Sequence, residues 1–155
     1  MPSYPKRILI VEDNKIDLRL VTDILEAHGY HTLQTGDGLE AIDLAVTNLP
    51  DLILMDIQLP HMTGLEVTRR LRGDERSRQI PIIAVTAFAM GWHEREALDS
   101  GCDAYMSKPI TIFGLLSTVE SFLSCSIGVG NVDLSKRFYD AALEPLGYKY
   151  LRPAR

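Results

Sequence analysis

Apolar residues in this chain gather in short dense runs, and between the runs they recur at every third or fourth position. The runs are Arg7-Ile8-Leu9-Ile10-Val11, Tyr30 to Gln34, Leu52-Ile53-Leu54-Met55 after Pro50 and Asp51, Gln79 to Val85, and Ala104-Tyr105-Met106. Runs this short, rich in β-branched residues and bounded by turn formers, predict strands buried on both faces. Between the first two, Leu18, Val21, Leu25 and His28 fall at helical spacing with Ile24 beside them, and Gly29 is a natural stop. Asn14 or Asp13 can cap that helix. Thr35-Gly36-Asp37-Gly38 turns into a second helix with the apolar stripe Ala41, Ile42, Ala45 and Val46, closed by Pro50. A third helix is predicted from about Gly64 to Arg72 and a fourth from about Gly91 to Asp99, with Gly101 just beyond it. Ile112, Leu115, Leu116, Val119 and Phe122 mark a fifth. Strands alternating with helices in this way predict an α/β fold, a doubly wound five-stranded parallel sheet wrapped on both faces.

Right-handed crossovers put every strand's carboxyl end on the same edge of such a sheet, which is where ligands bind. Glu12 and Asp13 follow the first strand, Asp56 ends the third, Thr86 follows the fourth, and Lys108 follows the fifth. Each alone is an ordinary cap or turn former. Together they bring three carboxylates, a hydroxyl and an ammonium to one cleft from positions almost a hundred residues apart. At an effective dielectric near 20, two carboxylates ~5 Å apart repel by about 3 kcal/mol, and Lys108 alone cannot offset three. A divalent cation is therefore expected. An all-oxygen donor set suits Mg²⁺, and Mn²⁺ also fits.

Composition narrows the class. The chain has 155 residues, enough for one domain and a short appendage, with 46% apolar and 24% charged residues, as in ordinary globular proteins. A formal net charge of −5 argues against a nucleic-acid surface. The local basic cluster Arg69, Arg70, Arg72, Arg76 and Arg78 reads as a solvated helix face and loop. Cys102 and Cys125 have no metal-ligand spacing and read as reduced structural thiols. His28, His31 and His61 read as surface or half-buried residues. Met1 to Arg7 lacks the apolar stretch of a signal peptide, and no uncharged run approaches the ~20 residues of a spanning helix. A cytoplasmic protein with no membrane partner is expected.

The motifs E-D-N after the first strand, L-M-D-I-Q-L-P at the third, A-V-T-A at the fourth and S-K-P at the fifth resemble those of two-component response-regulator receiver domains, specifically the single-domain regulators of cell division. The resemblance covers residues 5–124 and implies a flavodoxin-like receiver fold. It implies Asp56 as acceptor of a phosphoryl group from a histidine kinase or histidine phosphotransfer protein. It implies Mg²⁺ bound by Asp13, Asp56 and the Gln58 main-chain carbonyl, with Glu12 acting through water. Lys108, followed by a cis peptide to Pro109, would contact the phosphoryl group. Thr86 would report phosphorylation to Tyr105, which would turn into the space Thr86 vacates. The fourth helix, fifth strand and fifth helix would then change affinity for a downstream regulatory protein. Gln58 and Phe88 would tune hydrolysis. With no output domain in the sequence, a binding switch is expected rather than an enzyme, limited to its own phosphorylation and dephosphorylation.

Two other classes compete. Aspartyl-phosphate phosphohydrolases share the nucleophile but place a second Asp two residues later as general acid, where this chain has Gln58. A flavodoxin-like FMN carrier would need a Gly/Ser/Thr-rich phosphate loop after the first strand, and Glu12-Asp13-Asn14 stands there instead. Residues 125–155 are expected to form a linker and extension: Cys125 to Gly130 as linker or short strand, a helix capped by Asp133 with Leu134, Phe138, Ala141, Ala142 and Leu146 at helical spacing, and a short strand from Tyr148 to Leu151. The segment resembles a truncated β-α-β fragment of the glyoxalase/bleomycin-resistance family. It lacks that family's full sheet and metal ligands, so no lyase or dioxygenase activity is expected. Two readings stand, docking on the receiver or on a second copy as a homodimer, and a mobile remnant of a fusion or readthrough; Phe138, Tyr139, Leu143 and Leu146, which would otherwise expose an apolar patch, favour docking.

Overall fold

The computed structural model describes residues 5–87, 91–125 and 149–150. Strands β1 (Arg7–Val11), β2 (His31–Thr35), β3 (Leu52–Asp56), β4 (Ile82–Thr86) and β5 (Ala104–Ser107) alternate with helices α1 (Lys15–Ala27), α2 (Gly38–Asn48), α3 (Gly64–Arg72), α4 (Gly91–Ser100) and α5 (Ile112–Cys125). All five strands are parallel, in the order β2-β1-β3-β4-β5. Strand order reverses between β1 and β3, so a crevice opens there at the carboxyl edge.

Strand parity sorts the core into two layers. Ile8 and Ile10, Leu52 and Leu54, Ile83 and Val85, and Ala104 and Met106 pack with Val21, Leu25, Leu115 and Val119 of α1 and α5. Leu9 and Val11, Ile53 and Met55, Ile82 and Ala84, and Tyr105 pack with Ala41, Ala45, Leu65, Leu71 and Ala97 of α2, α3 and α4. Continuing each row by two residues decides which way the site residues face. Glu12, Asp56 and Lys108 extend rows of the α1/α5 layer. Thr86 extends the row of Ile82 and Ala84 in the other layer, the one that holds Tyr105.

Side-chain caps explain where three of the helices begin. Asn14 Oδ1 accepts from the Ile16 and Asp17 N–H groups at 3.0 Å, Asp37 Oδ1 from Leu39 at 3.3 Å, and Thr63 Oγ1 from Glu66 at 3.2 Å. Gly29, at φ +89°, carries the chain out of the α1 turn. Leu49 takes the left-handed φ of 49° that ends α2, since Pro50 disfavours continued helix before it.

Several expectations shift. The second strand starts at His31, one residue later than the apolar run, and β4 starts at Ile82 rather than Gln79. Residues 74–80 are instead a turn, in which Ser77 Oγ donates to Leu71 O at 2.6 Å and Ile80 N to Ser77 O at 3.1 Å. Helix α5 runs on through Cys125, which therefore belongs to the helix and not to a linker. Ile112 stands 58% exposed at its start, outside the apolar stripe assigned to it. A sixth strand, β6 (Lys149–Tyr150), pairs antiparallel with β5 in the register Ala104 with Tyr150 and Tyr105 with Lys149. The parallel sheet thus ends in an antiparallel edge strand drawn from the extension. The expected helix between Asp133 and Leu146 lies outside the described residues, as does Phe88.

Arg72 is the clearest correction to the solvated-face reading of the basic cluster. Its side chain is 14% exposed, and Nη2 pairs with Asp103 Oδ2 at 2.7 Å. Nε donates to Gly101 O, and Nη1 to Arg78 O and Ile80 O, at 2.7–2.9 Å. Asp103 Oδ2 also accepts from Ile82 N at 3.0 Å. One guanidinium thereby ties α3 to the chain entering β4 and to the turn between α4 and β5.

Candidate functional site: an acidic cleft with one lysine

At the carboxyl edge, β1 delivers Glu12 and Asp13, and β3 delivers Asp56. Glu12 is 5% and Asp56 4% exposed, whereas Asp13 faces solvent. One carboxylate oxygen from each of the three lies within 4.8 Å of the others, the one group of metal-ligating side chains among the described residues. Backbone bonds hold the loops beneath them: Glu12 N to Thr35 O at 2.9 Å, Ile57 N to Val85 O at 3.0 Å, and Lys108 N to Thr86 O at 2.7 Å. The Lys108–Pro109 peptide is cis.

Lys108 crosses the cleft from the far side. Its Nζ lies 2.8 Å from Glu12 Oε1, 3.1 Å from Asp17 Oδ2 and 3.4 Å from Asp56 Oδ2. The other oxygens are also engaged. Asn14 N donates to Glu12 Oε2 at 3.0 Å, and Gln58 N to Asp56 Oδ1 at 2.9 Å. The Gln58 side chain itself is exposed. Burial, then the Asp56 carboxylate, push the Glu12 carboxyl up to about 7, against the opposing pull of Lys108 and the Asn14 N–H. For Lys108, burial disfavours the charge, but the hydrogen bond to Glu12 and the charges of Asp56 and Glu12 outweigh it and hold the ammonium above its ordinary value. The lysine is therefore held as a positive charge, while the Glu12 carboxyl holds its proton more tightly than an ordinary glutamate.

The donor set agrees with a hard divalent cation. Every donor is an oxygen, and among the described residues the cleft gathers Glu12, Asp13, Asp17 and Asp56 against the Lys108 ammonium, which pairs with three of them, so negative charge remains after Lys108 is counted. A buried glutamate whose proton is retained up to about 7 is what a cluster short of positive charge should show.

Thr86 ends the strand next to the one that carries Asp56, and Tyr105 lies on β5 beyond it. Thr86 is fully buried at the end of β4, and Tyr105 is 4% exposed on β5, paired in register with Ala84. Tyr105 lies inside the α2/α3/α4 layer in this structure. His28 is exposed and its Nδ1 shares a hydrogen bond with Ile24 O at 2.9 Å, while His31 and His61 are exposed.

Two contributors escaped the sequence reading. Asp17, three residues after the Asn14 cap, reads as a favourable first-turn acid on a helix, and nothing local says that it reaches Lys108. Gly64 opens α3, where Gly64 N donates to Ile57 O at 2.9 Å. A Cβ there would collide with the Asp56 carbonyl oxygen and come within 2.9 Å of Ile57 Cα. The backbone behind Asp56 therefore requires glycine. Gly64 was legible as the start of the third helix, but the close approach is visible only in three dimensions.

Comparison with known proteins agrees with this geometry. The family model for the response regulator receiver domain matches residues 8–120. The polar-differentiation response regulator DivK of Brucella anthropi is 53% identical over 119 residues, 77% of this chain and 97% of that one. The DivK of Brucella ovis is 53% identical over 118 residues, 76% of this chain and 96% of that one. Among solved structures, the receiver domain of the sensor histidine kinase PA1611 from Pseudomonas aeruginosa, with magnesium coordinated in its active-site cleft, aligns with a TM-score of 0.73 and 32% identity over 77% of this chain and 98% of that one. The Saccharomyces cerevisiae Ssk1 receiver domain, crystallised with the histidine phosphotransfer protein Ypd1, aligns with a TM-score of 0.76 and 28% identity over 83% and 97%. With an acidic cleft at the switch point of a five-stranded parallel sheet and this match over most of its length, the chain belongs to the response regulator receiver domain family.

Proposed function

We propose that this chain is a phosphorylation-driven binding switch in the control of cell division or cell polarity, with Asp56 as its acceptor. The observation that carries the proposal is the convergence of Asp56 with Glu12, Asp13 and the Lys108 ammonium in one cleft. The donor is a phosphohistidine on a kinase or phosphotransfer protein. An Asp56 carboxylate oxygen forms the new bond to phosphorus as the phosphorus–nitrogen bond breaks, and the departing imidazole keeps that electron pair. Asp56 is already an anion and needs no general base, only alignment and charge neutralisation. The Gln58 N–H fixes one Asp56 oxygen, and Lys108 stands beside the other. Asp13, Asp56 and the Gln58 main-chain carbonyl would hold Mg²⁺, or Mn²⁺, with Glu12 contributing through water. The ion supplies further neutralisation of the phosphoryl oxygens.

The new phosphoryl group brings acceptor oxygens that Thr86 can satisfy by moving its hydroxyl. Because Thr86 and the buried Tyr105 share one layer, that shift alters packing beneath α4 and β5 and biases the surface built with α5. A downstream regulatory protein reads the difference. A coupling of roughly 1–3 kcal/mol changes its affinity about 5- to 150-fold.

The same reading assigns residues 5–125 to the receiver and 126–155 to an extension, with a second copy as a candidate partner of the extension. A cytoplasmic location agrees with the finding that no described helix is long and apolar enough to cross a membrane. The phosphohydrolase reading has no support at Gln58, whose exposed amide carries no ionisable proton.

Acetyl phosphate with Mg²⁺ should label the wild type and leave Asp56→Asn unlabelled, as read by phosphate-affinity gel and intact mass. Labelling that survives the substitution would reject Asp56 as the acceptor.

A further inference from the structure

Lys108 has three N–H donors and three carboxylate acceptors around it. The contact to Asp56, at 3.4 Å, is the longest, while Glu12 at 2.8 Å and Asp17 at 3.1 Å hold the ammonium more closely. A phosphoryl group on Asp56 would bring new acceptor oxygens to a lysine whose donors are all engaged. One existing contact must then be released, and the two candidates differ in cost. The Glu12 side chain is 6% exposed, so losing the ammonium would leave a buried acceptor among other acids with little water to replace the contact. Asp17 is 36% exposed on the first turn of α1, where water and the helix N-terminus can take over its stabilisation. Asp17 is also outside the three-carboxylate group that suits a cation.

We propose that Asp17 is a positioning residue for the phosphoryl switch: it holds Lys108 Nζ on the α1 side of the cleft while Asp56 is free, and releases it when Asp56 is phosphorylated. This inference rests on the reading of Asp56 as acceptor. Asp17 competes with the phosphoryl group for the same ammonium, so it opposes the phosphorylated state and shortens its occupancy. Removing its charge frees a donor and leaves the remaining cleft residues in place.

Beryllofluoride, a stable mimic of the acyl phosphate, reads the competition directly. It is titrated at saturating Mg²⁺ into the full chain and followed by amide chemical shifts, with acetyl phosphate labelling rate as a second readout. Asp17→Asn should bind beryllofluoride roughly three- to tenfold more tightly than wild type, the scale of one partly exposed, charge-assisted contact. Asp17→Glu, which restores the carboxylate, should return toward the wild-type value. In a Lys108→Ala background the gain from Asp17→Asn should vanish in both readouts, because there is no ammonium left to compete for. Unchanged or weaker binding by Asp17→Asn would overturn the proposal. An equal gain without Lys108 would overturn it too, reducing Asp17 to a general negative charge. A purely structural role would shift the melting temperature of Asp17→Asn without tightening beryllofluoride binding, and would likewise count against it. If Asp56→Asn abolishes labelling while Asp17→Asn changes nothing, only the positioning role fails. If Asp56→Asn still labels, the acceptor assignment fails first.

Discussion

Glu12 sits where burial and a neighbouring acid both oppose its charge, and the consequence is a pH dependence of known sign. Its carboxyl rises from an ordinary value of 4.5 to about 7 in the folded chain. Across that window the folded state keeps a proton that the unfolded state has released, so stability is present below about 4.5 and is lost as pH rises through about 7. With divalent cations chelated, the melting temperature should fall between pH 5 and pH 8. Glu12→Gln, which cannot ionise, should flatten that slope, and equal slopes for the two proteins would contradict the assignment. The Glu12-Asp13 pair and Asp56 were legible because each follows a dense apolar run, and strand parity then aims their side chains. Asp17 was not, because its partner lies 91 residues away and its local setting already explains an acid at a helix start.

Among the elements, α3 shows how a pattern of charge can mislead. Arg69, Arg70 and Arg72 look alike in sequence, but Arg72 follows the buried Leu71 and lies four residues after the buried Thr68, at the margin of the packed stripe. There it meets Asp103, the Gly101 carbonyl and the two carbonyls of the turn before β4. Arg72→Met should leave Asp103 buried without its guanidinium and lower stability by about 3–5 kcal/mol in urea denaturation. Arg69→Ala, on the exposed face, should stay within about 0.5 kcal/mol. Helix boundaries followed from caps written locally: Asn14, Asp37 and Thr63. The start of β4 did not, because Gln79 and Ile80 match strand composition while Ser77 and Arg72 hold them in a turn.

For the molecule as a whole, the receiver layers and the extension meet at the β5 edge. Antiparallel pairing of Lys149–Tyr150 with Ala104–Tyr105 covers backbone groups that would otherwise be open to another strand. A chain ending at residue 125 should lose about 1 kcal/mol and melt about 2–4 °C lower than the full chain, as read by calorimetry. Identical melting, and the same number of copies per particle by light scattering, would show that the extension contributes neither docking nor dimer contact. The alternation of dense apolar runs with period-3.6 patterns was enough to give the parallel sheet, its two covered faces, and the edge on which the acids meet, because these depend on local periodicity and on the handedness of crossovers. The three-way hold on Lys108, the glycine demanded behind Asp56, the buried position of Tyr105 and the anchoring of Arg72 were settled by folding alone. Each is a contact between side chains or backbone brought together from different elements, and no local pattern of residues records that distance.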